Sequence, residues 1–252
     1  MDASTAGQLL DINRKFYQQF AASFSATRRR LQPGVTRILG SLGEEVHLVD
    51  LGCGNGELAA ALARRGWGGA YLGLDFSPAL LAEAGKALSH FPGSPGRVEF
   101  RSLDLANPAA LPALAAGVQP VDAVTAFAVL HHLPGEELRR GLLRLVREVL
   151  SRSTDPAPAF YHSEWQFLSS PRLAARSLPW ENAGISADQV DPGDTLLDWR
   201  RDGTGFRYVH AFTEAELSAL AEDSGFKILE TFYADGENGR LGLYQRWGLD
   251  PG

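Results

Sequence analysis

The stretch Val46-His-Leu-Val-Asp-Leu-Gly-Cys-Gly-Asn-Gly-Glu57 decides the fold of this chain. Its first six residues are mostly apolar, as in a short buried parallel strand. Three glycines at alternate positions follow, and the Ala- and Leu-rich residues 57–65 then predict a helix. A strand, a glycine-rich turn and a helix in this order form a binding device, because open α/β sheets bind ligands at the carboxyl ends of their strands.

The same alternation of strand and helix continues along the chain. Further strands are predicted at 70–75, 97–100, 121–127 and 159–163, and two last strands at 227–233 and 240–247. Helices are predicted after Pro78, over 134–150 and after Thr213. We therefore predict an α/β fold: a Rossmann-like, seven-stranded, mostly parallel sheet with helices on both faces and a terminal antiparallel hairpin.

Two segments lie outside this alternation. Apolar residues recur at helical spacing from Leu9 to Phe24, which predicts a helical lid that packs on the main domain, and the following segment 23–30 could also close over a ligand. Prolines and tryptophans interrupt the pattern after residue 168 and predict an irregular insert. We divide the chain into an N-terminal helical cap (1–40), a core (41–168), an insert that covers the acceptor (169–210) and a C-terminal helix and hairpin (211–252).

Composition limits the classes of partner. The 252 residues carry a formal net charge of −6, so any contact with nucleic acid has to come from a local basic patch. Cys53 is the single cysteine, which excludes an intrachain disulfide and favours a reducing compartment. No apolar run approaches the roughly 20 residues that span a bilayer. We expect a cytoplasmic protein that does not enter a membrane.

The spacing of acidic residues around the glycine turn limits the class of ligand that could bind there. A dinucleotide fingerprint reads G-x-G-x-x-G, and Glu57 stands where its third glycine would be. Asp75 ends the second strand, where a carboxylate can accept both ribose hydroxyls. Asp104 follows the third strand between Leu103 and Leu105, beside which an adenine could lie. Together these features, over residues 46–150, resemble the class I methyltransferases that use S-adenosylmethionine (SAM).

This resemblance implies SAM as the cofactor and assigns its contacts. The glycine turn would contact the methionine part of SAM, Asp75 the ribose, Asp104 the adenine, and the residues after the fourth strand the sulfonium. The implied cofactor-binding residues are Asp50, Gly52, Cys53, Gly54, Asn55, Gly56, Asp75, Phe76, Asp104, Leu105, Ala126 and Phe127. No metal site is expected, since the side chains of His131 and His132 diverge.

Several short segments also resemble the tRNA wobble-uridine carboxymethyl methyltransferases. They are Phe24-Ser-Ala-Thr-Arg28, Gly73-Leu-Asp-Phe-Ser77, Ala128-Val-Leu-His-His132 and Arg207-Tyr-Val-His210. This second resemblance implies a carboxymethyl group on tRNA as the acceptor and an activating protein partner. The chain departs from that family at 151–158, at His162-Ser-Glu-Trp-Gln-Phe167 and at Asp198, where the acceptor would sit, so the acceptor stays open.

Candidate residues for the acceptor follow from the same segments. A carboxylate acceptor needs no general base, so no catalytic residue is obligatory, and the candidates are His131, Tyr208 and His210. Either His131 or His132 could line the pocket, and we select His131. The predicted substrate-binding residues are Tyr17, Phe24, Arg28, His131, Trp165, Arg207 and Tyr208.

Other functions remain open at this point. The acidic balance and the Trp-rich insert favour a small-molecule O- or N-methyltransferase. A SAM-binding domain that regulates a partner without transferring a methyl group would have the same cofactor motifs. A nicotinamide-dependent oxidoreductase shares the ribose-binding acid but lacks the third glycine of the fingerprint.

Overall fold

The protein is described by a computed structural model that covers residues 1–26, 30–91, 96–200 and 203–250, with the backbone alone over 21–26. The helices of this part of the chain are α1 (Ala3–Ala26), α2 (Pro33–Ser41), α3 (Glu57–Arg64), α4 (Pro78–Leu88), α5 (Leu111–Gly117), α6 (Glu136–Leu150), α7 (Pro171–Ala174) and α8 (Glu214–Asp223). The strands are β1 (Leu48–Leu51), β2 (Ala70–Asp75), β3 (Arg97–Ser102), β4 (Ala123–Phe127), β5 (Ala159–Trp165), β6 (Ser177–Leu178), β7 (Asp194–Trp199), β8 (Gly205–His210), β9 (Phe226–Ala234) and β10 (Gly242–Leu249).

Seven strands form one sheet in the order β3-β2-β1-β4-β5-β10-β9. The first five are parallel, and β10 runs antiparallel to both β5 and β9. Apolar side chains of α5, α6 and α8 cover one face, and those of α2 and α3 cover the other. The predicted Rossmann-like sheet with its terminal hairpin is confirmed. Because β1 lies between β2 and β4, the glycine turn that follows it lies at the centre of the carboxyl edge.

Local sequence explains where the core helices begin. The side chain of Ser77 accepts a hydrogen bond from the backbone N–H of Leu80, and Pro78 occupies the first position of α4. Thr213 caps α8 in the same way by accepting from the N–H of Glu216. These caps satisfy backbone donors that a helix end leaves without a partner. The Ser77 cap also fixes the turn after β2, which carries residues of the cleft.

The segment 169–210 is not irregular, so that prediction was wrong. It contains a second, antiparallel sheet in the order β6-β7-β8. Leu196 and Tyr208 from this sheet are fully buried against Leu9 of α1. Burial in these strands is consecutive: three adjacent residues of β7 and the last four of β8 are all buried, so neither strand shows an alternation of inward and outward side chains. The long connection 179–193, which contains Pro179 and Pro192, separates β6 from β7 and conceals their pairing in the sequence.

Helix α1 and the second sheet pack together beside the carboxyl edge of the main sheet. The backbone N–H of Tyr208 donates to Oδ1 of Asn13, at 2.9 Å, and so joins β8 to α1. The predicted aromatic stripe is inward, with Phe16 and Phe20 both 2% exposed. Helical dihedral angles are interrupted at Phe20 (φ −115°, ψ 15°), which kinks α1 there. Within the described chain, no helix combines the length and apolarity needed to cross a bilayer.

Candidate functional site

The glycine turn after β1 has the backbone geometry that its sequence predicts. Gly52, Gly54 and Gly56 all have positive φ, at 70°, 55° and 75°. A Cβ on Gly52 would lie 2.6 Å from Cγ2 of Val129, and one on Gly56 would lie 2.7 Å from Cβ of Ala84. A Cβ on Gly54 would meet no atom within 4 Å. The first and third glycines are thus required by packing, whereas the middle one leaves room for a ligand to approach the backbone.

Two buried carboxylates support this turn. Asp50 accepts hydrogen bonds from the hydroxyls of Tyr71 and Thr125, each at 2.6 Å, and burial raises the pKa of Asp50 to about 6. Asp75 accepts from the backbone N–H of Gly54 at 2.9 Å and of Ser77 at 2.8 Å. Burial also raises the pKa of Asp75. Each Asp75 oxygen keeps a second lone pair, which a ribose hydroxyl could use.

Asp104 lies on the far side of the cleft from the turn. Its Oδ1 accepts from the backbone N–H of Ala106 at 2.9 Å, and its Oδ2 accepts from Nη2 of Arg14 at 2.7 Å. Arg14 belongs to α1, so this ion pair joins the N-terminal helix to the loop after β3. Hydrogen bonding to Asp104 raises the pKa of Arg14 further above its ordinary value. The sequence alone gave no signal for this contact.

These residues line one cleft of about 240 Å³ at the carboxyl edge. Ten of the twelve predicted cofactor residues are on its wall: Asp50, Gly52, Cys53, Gly54, Asn55, Asp75, Phe76, Asp104, Leu105 and Phe127. Gly56 and Ala126 are not, since Gly56 starts α3 and Ala126 is fully buried in β4. Burial and the nearby Asp50 and Asp75 raise the pKa of the Cys53 thiol, which keeps it neutral and unreactive.

The same cleft is also lined by a polar cluster of Tyr17, His132 and Arg207, and the ring of Tyr17 lies 5.8 Å from that of Phe76. Nη2 of Arg207 lies 2.8 Å from Nε2 of His132 and 3.2 Å from the hydroxyl of Tyr17. The Tyr17 hydroxyl lies 3.0 Å from the same Nε2. The cluster combines one residue each from α1, from the 3-10 turn Leu130–His132 and from β8.

A strained residue directs His132 into the cleft. Ala128 follows β4 with a φ of 60°, in the left-handed region that non-glycine residues rarely adopt. Its backbone N–H donates to the carbonyl oxygen of Ser163 at 3.0 Å, which holds the chain in that turn. The 3-10 turn then begins two residues later. Strain of this kind is commonly found at functional sites, where the surrounding structure maintains it.

Comparison with known proteins agrees with this geometry. Residues 49–156 match the family model described as a methyltransferase domain. One relative is a protein of Encephalitozoon cuniculi (strain GB-M1) that is named provisionally as a methyltransferase. It is 29% identical over 217 residues, which are 86% of this chain and 87% of that one. The solved structure of a SAM-dependent methyltransferase from Methanosarcina mazei has a TM-score of 0.63 at 22% identity, over 87% of this chain and 98% of that one. Residues 49–156 are thus a methyltransferase domain, and together these findings support the class I SAM-dependent methyltransferase superfamily.

A second solved structure has a bound acceptor. The 1,6-didemethyltoxoflavin N1-methyltransferase of Burkholderia thailandensis, with 1,6-didemethyltoxoflavin and S-adenosylhomocysteine (SAH) bound, has a TM-score of 0.62 at 16% identity. The match covers 99% of this methyltransferase and 91% of that chain. At such low identity the likeness shows the fold, and the acceptor of that enzyme is a property of that enzyme.

SAM is the cofactor of this methyltransferase, and the cleft fits it. The open space at Gly54 and the lone pairs of Asp75 suit an amino-acid chain and a ribose, and the apolar side chains of Phe76 and Leu105 suit an adenine between them. When bound, SAM supplies a methyl group on a sulfonium, a carbon already activated for displacement. The individual contacts of these residues stay predictions.

Three candidate acceptor residues lie behind the cleft wall. His131 is fully buried, with Nδ1 2.9 Å from Oε2 of Glu164. Tyr208 donates its hydroxyl proton to Oδ1 of Asp194 at 2.8 Å, and His210 lies between Asp194 and Glu216, 2.7 Å from each. The sequence analysis selected His131 over His132 and placed Tyr208 and His210 at the acceptor. This arrangement disagrees with both predictions. Adjacent residues on a strand or a tight turn point in different directions, so His132 and Arg207 face the cleft where His131 and Tyr208 do not.

The remaining predicted residues have mixed positions. Tyr17 and Arg207 are on the cleft wall. Trp165 is not on the wall, but its ring lies 5.2 Å from the Arg207 guanidinium. Arg28 and the side chain of Phe24 lie outside the described residues. In the described part of the chain, no group of three or more His, Cys, Asp or Glu side chains could hold a metal ion.

Proposed function

We propose that this methyltransferase transfers the methyl group of SAM to an oxygen or nitrogen of a small-molecule acceptor that binds against Tyr17, His132 and Arg207. One observation carries the proposal. A single cleft is lined both by the predicted cofactor residues at the glycine turn and by a cluster of three polar side chains. A methyl donor and its acceptor need such an arrangement, because the transfer is an in-line displacement between two bound molecules.

The chain's residues would act mainly by alignment. Holding two reactants in position can lower the barrier by roughly 7–11 kcal/mol, and no covalent intermediate is then needed. Asp75 and the glycine turn would hold the donor, and α1 and β8 would hold the acceptor. The apolar side chains of Leu133, Val129 and Phe127 on the same wall would exclude water from the reacting atoms.

The walls of the acceptor end support a small molecule. α1 covers this end from one side, and Tyr17 on that helix is only 9% exposed. Arg207 of β8 is 6% exposed, so the cluster lies inside the cleft and not on its rim. A flexible or compact acceptor can reach such a position directly, whereas a nucleotide in an RNA would have to be turned out of its chain.

A carboxymethyl group on tRNA wobble uridine is the second candidate acceptor. Arg30 lines the cleft and is exposed, in a position to meet a phosphate at the entrance. Arg207 could hold the carboxylate, because a guanidinium binds a carboxylate through two parallel hydrogen bonds. The segments that resemble the tRNA enzymes include Arg207 and His132.

An assay with methyl-labelled SAM distinguishes a small-molecule acceptor from a tRNA acceptor. The protein is incubated with it and either with a small-molecule extract of the source cells or with bulk tRNA at low salt. We expect label in small molecules and none in RNA; label in RNA alone would replace the first acceptor with the second. Calorimetric binding of SAM without transfer to either pool would indicate a regulatory SAM-binding protein.

A further inference from the structure

The turn between β9 and β10 lies at the same edge of the main sheet as the cleft. β10 is antiparallel to both β5 and β9, so β9 runs parallel to β5 and ends at the carboxyl edge. Asp235 follows it with a φ of 69°, in the left-handed region where aspartate is among the few residues other than glycine that occur. Its carbonyl oxygen accepts from the backbone N–H of Leu241 at 3.1 Å, which closes the turn. The backbone therefore holds the Asp235 carboxylate in a fixed position at this edge.

One oxygen of Asp235 holds the start of α2. Oδ1 accepts from the backbone N–H of Gly34 at 3.0 Å. Gly34 is the second residue of α2, and its N–H is one of the donors that have no partner inside their own helix. The negative charge of the carboxylate also matches the helix dipole at this end. Residues on both sides of this bond line the cleft, namely Arg30, Leu31, Gln32 and Val35.

The other oxygen of Asp235 holds an aromatic ring behind the cleft wall. Oδ2 accepts from the Tyr244 hydroxyl at 2.5 Å. The ring of Tyr244 stacks on that of Phe232, with centres 5.1 Å apart, and its centre lies 6.3 Å from that of Phe127. It also fills the space beside Gly34, where an added Cβ would lie 2.2 Å from a ring atom. Because Phe127 lines the cleft, Tyr244 supports that wall from behind.

We propose that Asp235 is a positioning residue for the cofactor: its carboxylate fixes both residues 30–35 and Phe127, and so sets the width of the cavity that SAM enters. A carboxylate suits this task because both of its oxygens accept hydrogen bonds. Val35 and Phe127 pack in one apolar cluster with Cys53 of the glycine turn, which places this wall beside the predicted methionine end. The inference goes beyond the proposed acceptor, since it holds for a small molecule and for RNA alike.

The effect of Asp235 on the cofactor is indirect. Asp235 is not on the cleft wall, so it acts through the residues that it holds. Without its hydrogen bonds, a bound cofactor has to order this wall itself, and the free energy of that ordering opposes binding. A hydrogen bond to a charged group changes an equilibrium constant by about 10- to 100-fold, which limits the size of the effect. By linkage, bound cofactor must in turn stabilise the docking of α2 by the factor by which docking favours the cofactor.

The variant Asp235→Gly tests the proposal, because glycine adopts the left-handed conformation readily and the change removes only the carboxylate. We expect the dissociation constant for SAH, measured by calorimetry, to rise by about 10- to 100-fold. Asp235→Asn keeps one accepting oxygen and tolerates the same φ, so it should recover most of the affinity. Tyr244→Phe keeps the ring but loses the hydroxyl, and its effect should be smaller than that of Asp235→Gly. Glu237→Ala, exposed in the same turn, is the matched control and should bind SAH normally.

Urea unfolding and hydrogen exchange distinguish positioning from a purely structural role. Each variant is titrated with SAH under conditions in which urea unfolding shows it to be folded. In Asp235→Gly, the backbone amides of α2 should exchange faster than in the control, and saturating SAH should slow them again. Unchanged SAH affinity beside a lower unfolding free energy, or exchange at α2 that does not respond to SAH, would overturn the proposal. Should Asp235→Gly not fold, Tyr244→Phe takes its place, and an unchanged SAH affinity there would overturn it equally.

Discussion

At the scale of single residues, the cleft depends on carboxylates that have two tasks. Asp75 was predicted to bind a ribose, and it also accepts from the backbone of Gly54 and Ser77. The sequence could predict the first task because the acid stands at the end of a strand. It could not predict the second, since that depends on where the turn after β1 folds back toward β2. Asp75 therefore affects both the ligand and the shape of the turn.

Asp75→Ala should weaken SAM binding by about 1–3 kcal/mol, because it removes a charged hydrogen-bond acceptor and releases two backbone donors. Calorimetric titration with SAM measures the change. Asp188→Ala, on an exposed part of the chain, is the matched control and should bind normally. An unchanged dissociation constant for Asp75→Ala would mean that the ribose binds elsewhere.

Arg207→Lys should spare cofactor binding and impair turnover. Lysine keeps the charge, but its single ammonium cannot reproduce the planar group that lies among aromatic rings and reaches both His132 and Tyr17. Loss of a hydrogen bond to a charged group costs about 1.5–3 kcal/mol, so kcat/KM should fall by about 10- to 100-fold. Steady-state rates together with SAH titration check this. Parallel loss of SAH affinity would place Arg207 at the cofactor.

At the scale of elements, α1 spans both ends of the cleft. Arg14 binds Asp104 near the predicted adenine position, and Tyr17 contacts His132 at the acceptor end. The sequence predicted this helix and its buried stripe, because the apolar period is local. The partners of its polar residues belong to β8, to the 3-10 turn Leu130–His132 and to the loop after β3, and the contact with β8 depends on a sheet that the sequence did not reveal.

Arg14→Ala should speed cofactor release with little effect on folding stability. The Arg14 side chain is 41% exposed, and ion pairs at such positions contribute about 0–1 kcal/mol. The unfolding free energy should therefore change by less than about 1 kcal/mol. Stopped-flow displacement of SAH gives the release rate, with Lys15→Ala on the exposed side of α1 as the control. Identical release from both variants would show that the pair does not retain the ligand.

At the scale of the whole molecule, the main sheet was predictable and the second sheet was not. Strands such as β1 and β4 are short, mostly apolar runs, which predict burial on both faces. β7 and β8 carry Asp194, Arg207 and His210 inward, because Asp194 and His210 bond to each other and Arg207 contacts His132 and Tyr17. Inward polar residues obscure the apolar period, so burial could not be inferred there. The sequence around Arg207 predicted that this residue binds the acceptor. It did not predict the contact with His132, because the orientation of His132 depends on the left-handed turn at Ala128.

Stability should also depend on pH through the buried His162. Burial lowers the pKa of His162 to about 3, and burial also raises the pKa of Glu164, whose Oε1 lies 3.0 Å from Nδ1 of His162. A lowered histidine pKa contributes stability that is present above the unfolded value of about 6.5 and is lost as pH falls toward the folded one. Urea unfolding should show the free energy declining between about pH 6.5 and 3, by up to about 1.4 kcal/mol per pH unit from this group.

The variant His162→Phe should remove that part of the pH dependence. Its ring can stack on Phe160 as the imidazole does, with centres now 5.1 Å apart. His210 acts in the other direction: although burial opposes its charge, hydrogen bonds to Asp194 and Glu216 prevail and raise its pKa. Its stabilising contribution is therefore complete below about pH 6.5 and is lost at higher pH. A steeper acid decline in His162→Phe would disprove the assignment to His162.

The most direct test of the two-ended cleft is a crystal structure with SAH bound. The carboxylate of Asp75 should contact the ribose, and the amino-acid chain should lie along Gly54. The sulfur should then face the cluster of Tyr17, His132 and Arg207. SAH bound with its sulfur directed away from this cluster, or with its adenine inside it, would contradict the account.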